Sequence, residues 1–195
     1  MDPDELERLV GRLRPYGTVI FDLDGTLVRL QVDWRKAQAE LGGITRRYGK
    51  DSAGRSIWAM LRDAMGDEAA ELSRALQRYE MKGSTEAQPL PISEVLPLMN
   101  REQVGVVTLN CHSCAEEALR VTGLSALVGA IVAREDTTRV KPDPEPLLLC
   151  IQRLQGEPDH AVFVGDRERD RETAEAAGTS FLSVHDLLRP AATGK

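Results

Sequence analysis

Thr18-Val19-Ile20-Phe21-Asp22-Leu23-Asp24-Gly25-Thr26 decides the reading of this chain. A short run of apolar and β-branched residues that stops at two acids and a glycine describes a buried strand. The C-terminal end of that strand carries the chemistry. In open α/β sheets, ligands bind beyond the carboxyl ends of the strands, near a switch in strand order. The acids at 22 and 24 stand where such a ligand is expected.

Working outward, Leu6, Leu9, Val10 and Leu13 recur at helical spacing, and Pro15 and Gly17 end that helix. On the other side, residues 29–82 change character. Trp34, Leu41, Ile57, Trp58, Leu61, Leu72, Ala75, Leu76 and Tyr79 fall mostly on helical periods, with no strand pattern. The strongest helix there is expected to follow Asp67 as N-cap and to stop at Gly83 as its C′ residue. A linker over 84–91 and a short helix over 93–100 lead back. Strands are expected at 104–108, 130–133, 161–164 and 181–184, alternating with helices. Ser113 with Glu116 predicts a capping box for the first helix, which Gly123 closes. Asp143-Pro144 opens the second, and Gly178 stops the third, over 170–177. The alternation predicts an α/β fold. It is a doubly wound, Rossmann-like parallel sheet with a small all-helical cap inserted after the first core strand. Residues 1–28 and 88–195 form the core, and residues 29–87 form the cap.

A length of 195 residues suits one core domain with a modest insertion. Acids outnumber bases, 31 to 25, for a net charge of −6. A general nucleic-acid binder carries the opposite sign. No apolar run is long enough to span a bilayer, and the acidic start at residues 1–5 is not followed by an apolar signal core. The three cysteines give no disulfide framework. The expected setting is cytoplasmic, without nucleic acid or membrane. Cys111-His112-Ser113-Cys114 could suggest a redox pair or half a zinc site, but no further ligands follow at motif spacing, which favours structural residues. Residues 29–82 carry eleven Lys/Arg against eight Asp/Glu, with Arg46, Arg47 and Lys50 the densest group. That excess fits either a positive lid for an anionic substrate or a set of solvated helix faces.

Asp22, Asp24, Thr108 and Asp166 all sit at expected strand ends, and Lys141 lies between the third strand and the next helix. The fold would bring them to one sheet edge. Asp22-Leu23-Asp24-Gly25-Thr26, Thr108, Lys141-Pro142-Asp143-Pro144 and Gly165-Asp166 with Asp170 resemble, in order, the four motifs of the haloacid dehalogenase-like hydrolases. The subgroup resembled is the phosphoglycolate-phosphatase-like one, and the resemblance covers about residues 16–185. It implies a phosphatase acting on a small anionic phosphorylated metabolite with Mg2+ as cofactor. Asp22 would attack phosphorus, Asp24 would act as general acid and then base, and Thr108 and Lys141 would serve the phosphoryl oxygens. The metal set would be Asp22, Asp24, Asp166 and Asp170, although Asp170 could instead cap the following helix. Gly25, Thr26, Asn110, Arg46 and Arg47 are the substrate-binding candidates. Position 167 departs from the family, being Arg where a small hydroxyl residue is usual. Arg167 could pair with Asp170 or Glu168, or reach toward the substrate.

Elementary electrostatics gives the same picture independently. An aspartate is ordinarily ionised at neutral pH, so Asp22 is expected to need no base to become a nucleophile. Two carboxylates about 4 Å apart repel by about 4 kcal/mol at an effective dielectric near 20, so the cluster requires countercharge. A divalent ion and Lys141 would supply it. Phosphoryl transfer within a sugar phosphate, or non-catalytic binding on the same fold, are the alternative readings.

Overall fold

The computed structural model describes residues 1–189. Five parallel strands form the central sheet: β1 (Thr18–Phe21), β4 (Val104–Val107), β5 (Ala130–Val132), β6 (Ala161–Gly165) and β7 (Ser180–Ser183). Their order is β5-β4-β1-β6-β7. The chain winds from β1 through β4 to β5 on one side, then crosses to β6 and β7 on the other. The switch point therefore lies at β1, the strand that ends at Asp22.

Both faces of the sheet are covered because each strand alternates its side chains. Val19 and Phe21 join one apolar cluster with Leu9, Leu13, Ala115 and Leu119. Those residues come from α1 (Pro3–Leu13) and α5 (His112–Val121). Ile20 faces the other way, onto Leu147, Ile151 and Ala174, which α6 (Glu145–Arg153) and α7 (Glu168–Ala177) supply. The short α8 (Val184–Leu187) closes the described chain.

Three helices, α2 (Trp34–Arg47), α3 (Ile57–Arg62) and α4 (Gly66–Ser84), form a unit of their own. Leu41, Ile44, Met60, Leu72 and Leu76 are its separate apolar core. A two-stranded antiparallel ribbon, β2 (Val28–Arg29) with β3 (Gln88–Pro89), forms the neck of this unit. The sequence pattern missed that ribbon, because two residues per strand, one of them proline, leave no alternation to read.

Several local expectations are corrected. Asp67 does not cap α4, which starts from Met65 without a side-chain cap. Gly83 lies inside that helix, where an added Cβ would come 2.5 Å from Val32 Cγ2 and 2.8 Å from Val32 N. Its role is close approach of helix to neck. Ser113 is likewise inside α5, where its Oγ accepts from Gln77 Nε2 at 3.1 Å. The amides at the start of α5 find carboxylates from elsewhere: Cys111 N donates to Glu80 and His112 N to Glu135. A local serine cap is not needed. The helix expected over 93–100 is a 3-10 helix, Pro91–Leu98, shaped by prolines that lack an N–H. α7 begins two residues early, at Glu168.

Candidate active site

The carboxyl ends of the strands meet a cavity of about 240 Å3 lined by Asp22, Asp24, Thr108, Asn110, Lys141 and Asp170, with Trp34, Trp58, Leu109, Arg167 and Arg169. Asp22 continues the β1 ladder by one bond, its N–H donating to Val164 O at 2.9 Å. Thr108 extends β4 in the same way, donating to Val132 O at 3.0 Å. Backbone pairing thus fixes both residues at the sheet edge.

Lys141 arrives from the β5–α6 connection and is almost wholly buried. Its ammonium donates to Asp22 Oδ1 at 2.6 Å and to Asp170 Oδ1 at 2.7 Å. It also lies 5.3 Å from the centroid of the Phe163 ring. Burial alone would lower its pKa, but the two carboxylates more than offset that and hold it above the ordinary lysine value. Burial pushes the Asp22 carboxyl up, to about 7, against the pull of Lys141 and with the push of Asp170 and Asp166.

Asp170 caps the helix that follows and also faces the buried ammonium. Oδ1 takes Lys141, and Oδ2 accepts the Arg167 N–H at 3.1 Å, capping α7. Arg167 turns its side chain to neither Asp170 nor Glu168. Its Nε pairs with Asp166 Oδ2 at 2.9 Å.

Asp24 is held by the neck of the helical unit, its Oδ1 accepting the Leu30 N–H at 2.9 Å. Burial raises its pKa, and that hydrogen bond offsets part of the rise. Gly25 has φ +95 and sits against the Asp166 carboxylate, where a Cβ would lie 2.6 Å from Oδ2. Only glycine meets both conditions without strain. Gly25 and Thr26 do not line the cavity, and Thr26 is fully buried behind the loop.

Oxygen atoms of Asp22, Asp166 and Asp170 lie within 4.8 Å of one another. Asp166 Oδ1 is buried yet has no hydrogen-bond partner. An orphaned carboxylate oxygen beside two others is a donor set for a hard cation, and all-oxygen ligation fits Mg2+. The residues present fit the ion.

The loop after β4 holds a network that the sequence did not reveal. Thr108 Oγ1 donates to Asn110 Oδ1 at 2.9 Å, and Asn110 Nδ2 donates to Glu80 Oε1 at 3.1 Å. Glu80 belongs to α4 and is fully buried, with Arg134 Nη1 2.7 Å from both its oxygens. A carboxylate from the helical unit therefore braces the loop carrying Thr108. Both amide atoms of Asn110 are engaged within the protein, so this side chain shapes the loop instead of reaching out as expected. Glu80 looked like one more charge on a helix; only its face toward β4 distinguishes it.

Arg46 and Arg47 are not brought to the site. Arg46 donates to Ser52 Oγ at 2.7 Å, and Arg47 pairs with Glu71, both within the helical unit. Lys50 pairs with Glu68 and Arg78 with Glu40 there too. These four side chains are engaged within the helical unit and do not line the cavity. The cations that do line the cavity beside Lys141 are Arg167 and Arg169, on the core. Cys111 and Cys114 are free and fully buried in the apolar core.

Residues 19–184 match the family model described as haloacid dehalogenase-like hydrolase. The chain belongs to that family. Among curated relatives it is 30% identical over 181 residues to an N-acetylmuramic acid 6-phosphate phosphatase of Pseudomonas aeruginosa, covering 85% of this chain and 80% of that one. It is 29% identical over 184 residues to a fructose-1-phosphate phosphatase of Escherichia coli, covering 88% and 98%. Among solved structures, CbbY from Rhodobacter sphaeroides in complex with phosphate superposes with a TM-score of 0.65 at 19% identity, covering 86% and 85%. The fold is shared with that protein. Within the haloacid dehalogenase-like hydrolases its enzyme class is phosphatase.

Proposed function

We propose that this haloacid dehalogenase-like hydrolase cleaves a small-molecule phosphomonoester with Mg2+, through a phosphoryl group held transiently on Asp22. The observation that carries the reading is the Lys141 ammonium clamped between Asp22 and Asp170 in the lining of the cavity, together with the orphaned Asp166 oxygen. Sugar phosphates are the substrates named for two of its relatives, which supports a small phosphorylated metabolite here.

Asp22, Asp166 and Asp170 would hold the ion, with the Asp24 backbone carbonyl by family resemblance. When bound, the ion supplies positive charge that lets a carboxylate approach a phosphoryl dianion. Asp22 attacks phosphorus with its free oxygen while Lys141 holds the other. Asp24, kept more protonated than an exposed acid, gives its proton to the departing alkoxide. It then accepts one from the water that attacks the phosphorus of the acyl phosphate. Thr108 can turn its hydroxyl from Asn110 to a phosphoryl oxygen. We propose residues 29–87 as the cap that excludes bulk water and shapes the leaving-group side.

A panel of phosphomonoesters scored for free phosphate tests this. Turnover is expected with Mg2+ on at least one sugar or acid phosphate. It should be lost on exhaustive chelation and restored by adding Mg2+. Turnover indifferent to chelation, or none on any phosphomonoester, contradicts the proposal.

A further inference from the structure

Three cations line the catalytic cavity among the described residues: Lys141, Arg167 and Arg169. Lys141 is committed to Asp22 and Asp170, and Arg167 to Asp166. The next arginine on α7, Arg171, pairs with Glu168. The Arg169 guanidinium has no hydrogen-bonding or ion-pair partner among the described residues. Its guanidinium instead lies 5.9 Å from the centroid of the Trp58 ring, which α3 brings across from the helical unit.

A half-buried guanidinium resting on an indole keeps its N–H edge free and loses part of its water. Such a group suits a planar or multi-oxygen anion, held by two parallel hydrogen bonds. Trp34 stands 6.4 Å from Trp58, tilted by 56°, and gives the cavity a second aromatic wall. A volume of about 240 Å3 leaves room beyond the phosphoryl group for only a small carbon skeleton. An adjoining cleft of about 840 Å3 shares Trp58, Leu109 and Lys141. Its arginines are already engaged: Arg62 with Asp63, Arg134 with Glu80, and Arg139 with Asp143.

We infer that Arg169, backed by Trp58, receives a second anionic group on the substrate. The substrate class is then a phosphomonoester whose leaving group itself bears a carboxylate or a further phosphate. This rests on the phosphatase reading above and narrows it. Arg169 acts as a specificity residue because Trp58 shares its contact: the second anion would be bound only where core and helical unit meet over it.

The test compares matched substrates on the Mg2+-loaded full chain. One pair is 3-phosphoglycerate against glycerol 3-phosphate, and the other is fructose 1,6-bisphosphate against fructose 1-phosphate. The native protein should prefer the member with the extra anion in at least one pair, and the pair concerned tells carboxylate from phosphate. Arg169→Gln should lower kcat/KM for that member by about ten- to a hundredfold, the weight of a charge-assisted hydrogen bond, and collapse the ratio within the pair. Arg169→Lys, which keeps the charge without the fork, should retain part of the preference. A native protein without preference in either pair overturns the inference. So does a preference that survives in Arg169→Gln, or an equal loss for both members, which would assign Arg169 to the transferred phosphoryl group. Hydrolysis of none of the four together with none in the wider panel would overturn the phosphatase reading itself.

Discussion

Asp22→Asn should abolish turnover, by a factor on the order of 10^4 or more, because it removes the nucleophile and not merely a contact. The same variant should stay folded. Lys141 would still face Asp170 at 2.7 Å, and Arg167 would still face Asp166 at 2.9 Å, so no buried charge is left alone. Stability should even rise at neutral pH. Burial lifts the Asp22 pKa to about 7 from an ordinary 3.8, so the ionised carboxylate disfavours the folded state. A raised carboxyl pKa contributes stability below the unfolded value and loses it as pH climbs through the folded one. The melting temperature of Asp22→Asn should therefore gain on the native protein between about pH 4 and 7. Measured without added metal, a variant that melts earlier at pH 7 would refute this charge balance.

Lys141→Met should be inactive and also unstable. The substitution keeps the stem's bulk and removes only the ammonium, so packing loss is small. What remains is a buried Asp22 and Asp170 facing each other with no cation between them. Removing one partner of a buried ion pair costs about 3–5 kcal/mol. For a chain of this size that corresponds to a fall of roughly 10 °C in melting temperature. The penalty should shrink toward pH 4, where the carboxylates protonate. Adding Asp170→Asn to Lys141→Met should recover much of the lost stability without recovering activity. Equal melting temperatures for native and Lys141→Met proteins at pH 7 would mean that Lys141 does not hold the cluster together.

The architecture was legible because its signals are local. Apolar runs that end in Asp22, Thr108 and Asp166 locate the strand ends without knowledge of their neighbours. Lys141 was legible through its place after the third strand and through the motif that Lys141-Pro142-Asp143-Pro144 resembles, since nothing in its own composition marks a buried ammonium. Pairings across the fold left no such trace. Glu80 reads as one charge among many on α4, yet it is fully buried against Asn110 and Arg134. Arg46 and Arg47 stand out as a cluster in the sequence, but their partners, Ser52 and Glu71, lie inside the same helical unit. Charge density along a chain says where cations are, not whether anions already hold them. Arg169 shows the converse. It sits in a run of alternating charge where every residue looks satisfied, and only the structure shows that Trp58 faces it.

The shape of the site also links the helical unit to the reacting acids. Leu30, just past β2, fixes Asp24, while Glu80 on α4 braces the loop of Thr108. Any shift of that unit relative to the sheet must disturb both, which fits a site assembled fully only when the two units are together.

The most direct measurement is to quench the Mg2+-loaded protein with acid during turnover of a radiolabelled phosphomonoester and locate the label by peptide. Label should be found on the peptide containing Asp22, be released by hydroxylamine, and be absent from Asp22→Asn. Label on another residue, or steady turnover with no labelled protein at any quench time, would contradict a carboxylate that carries the phosphoryl group.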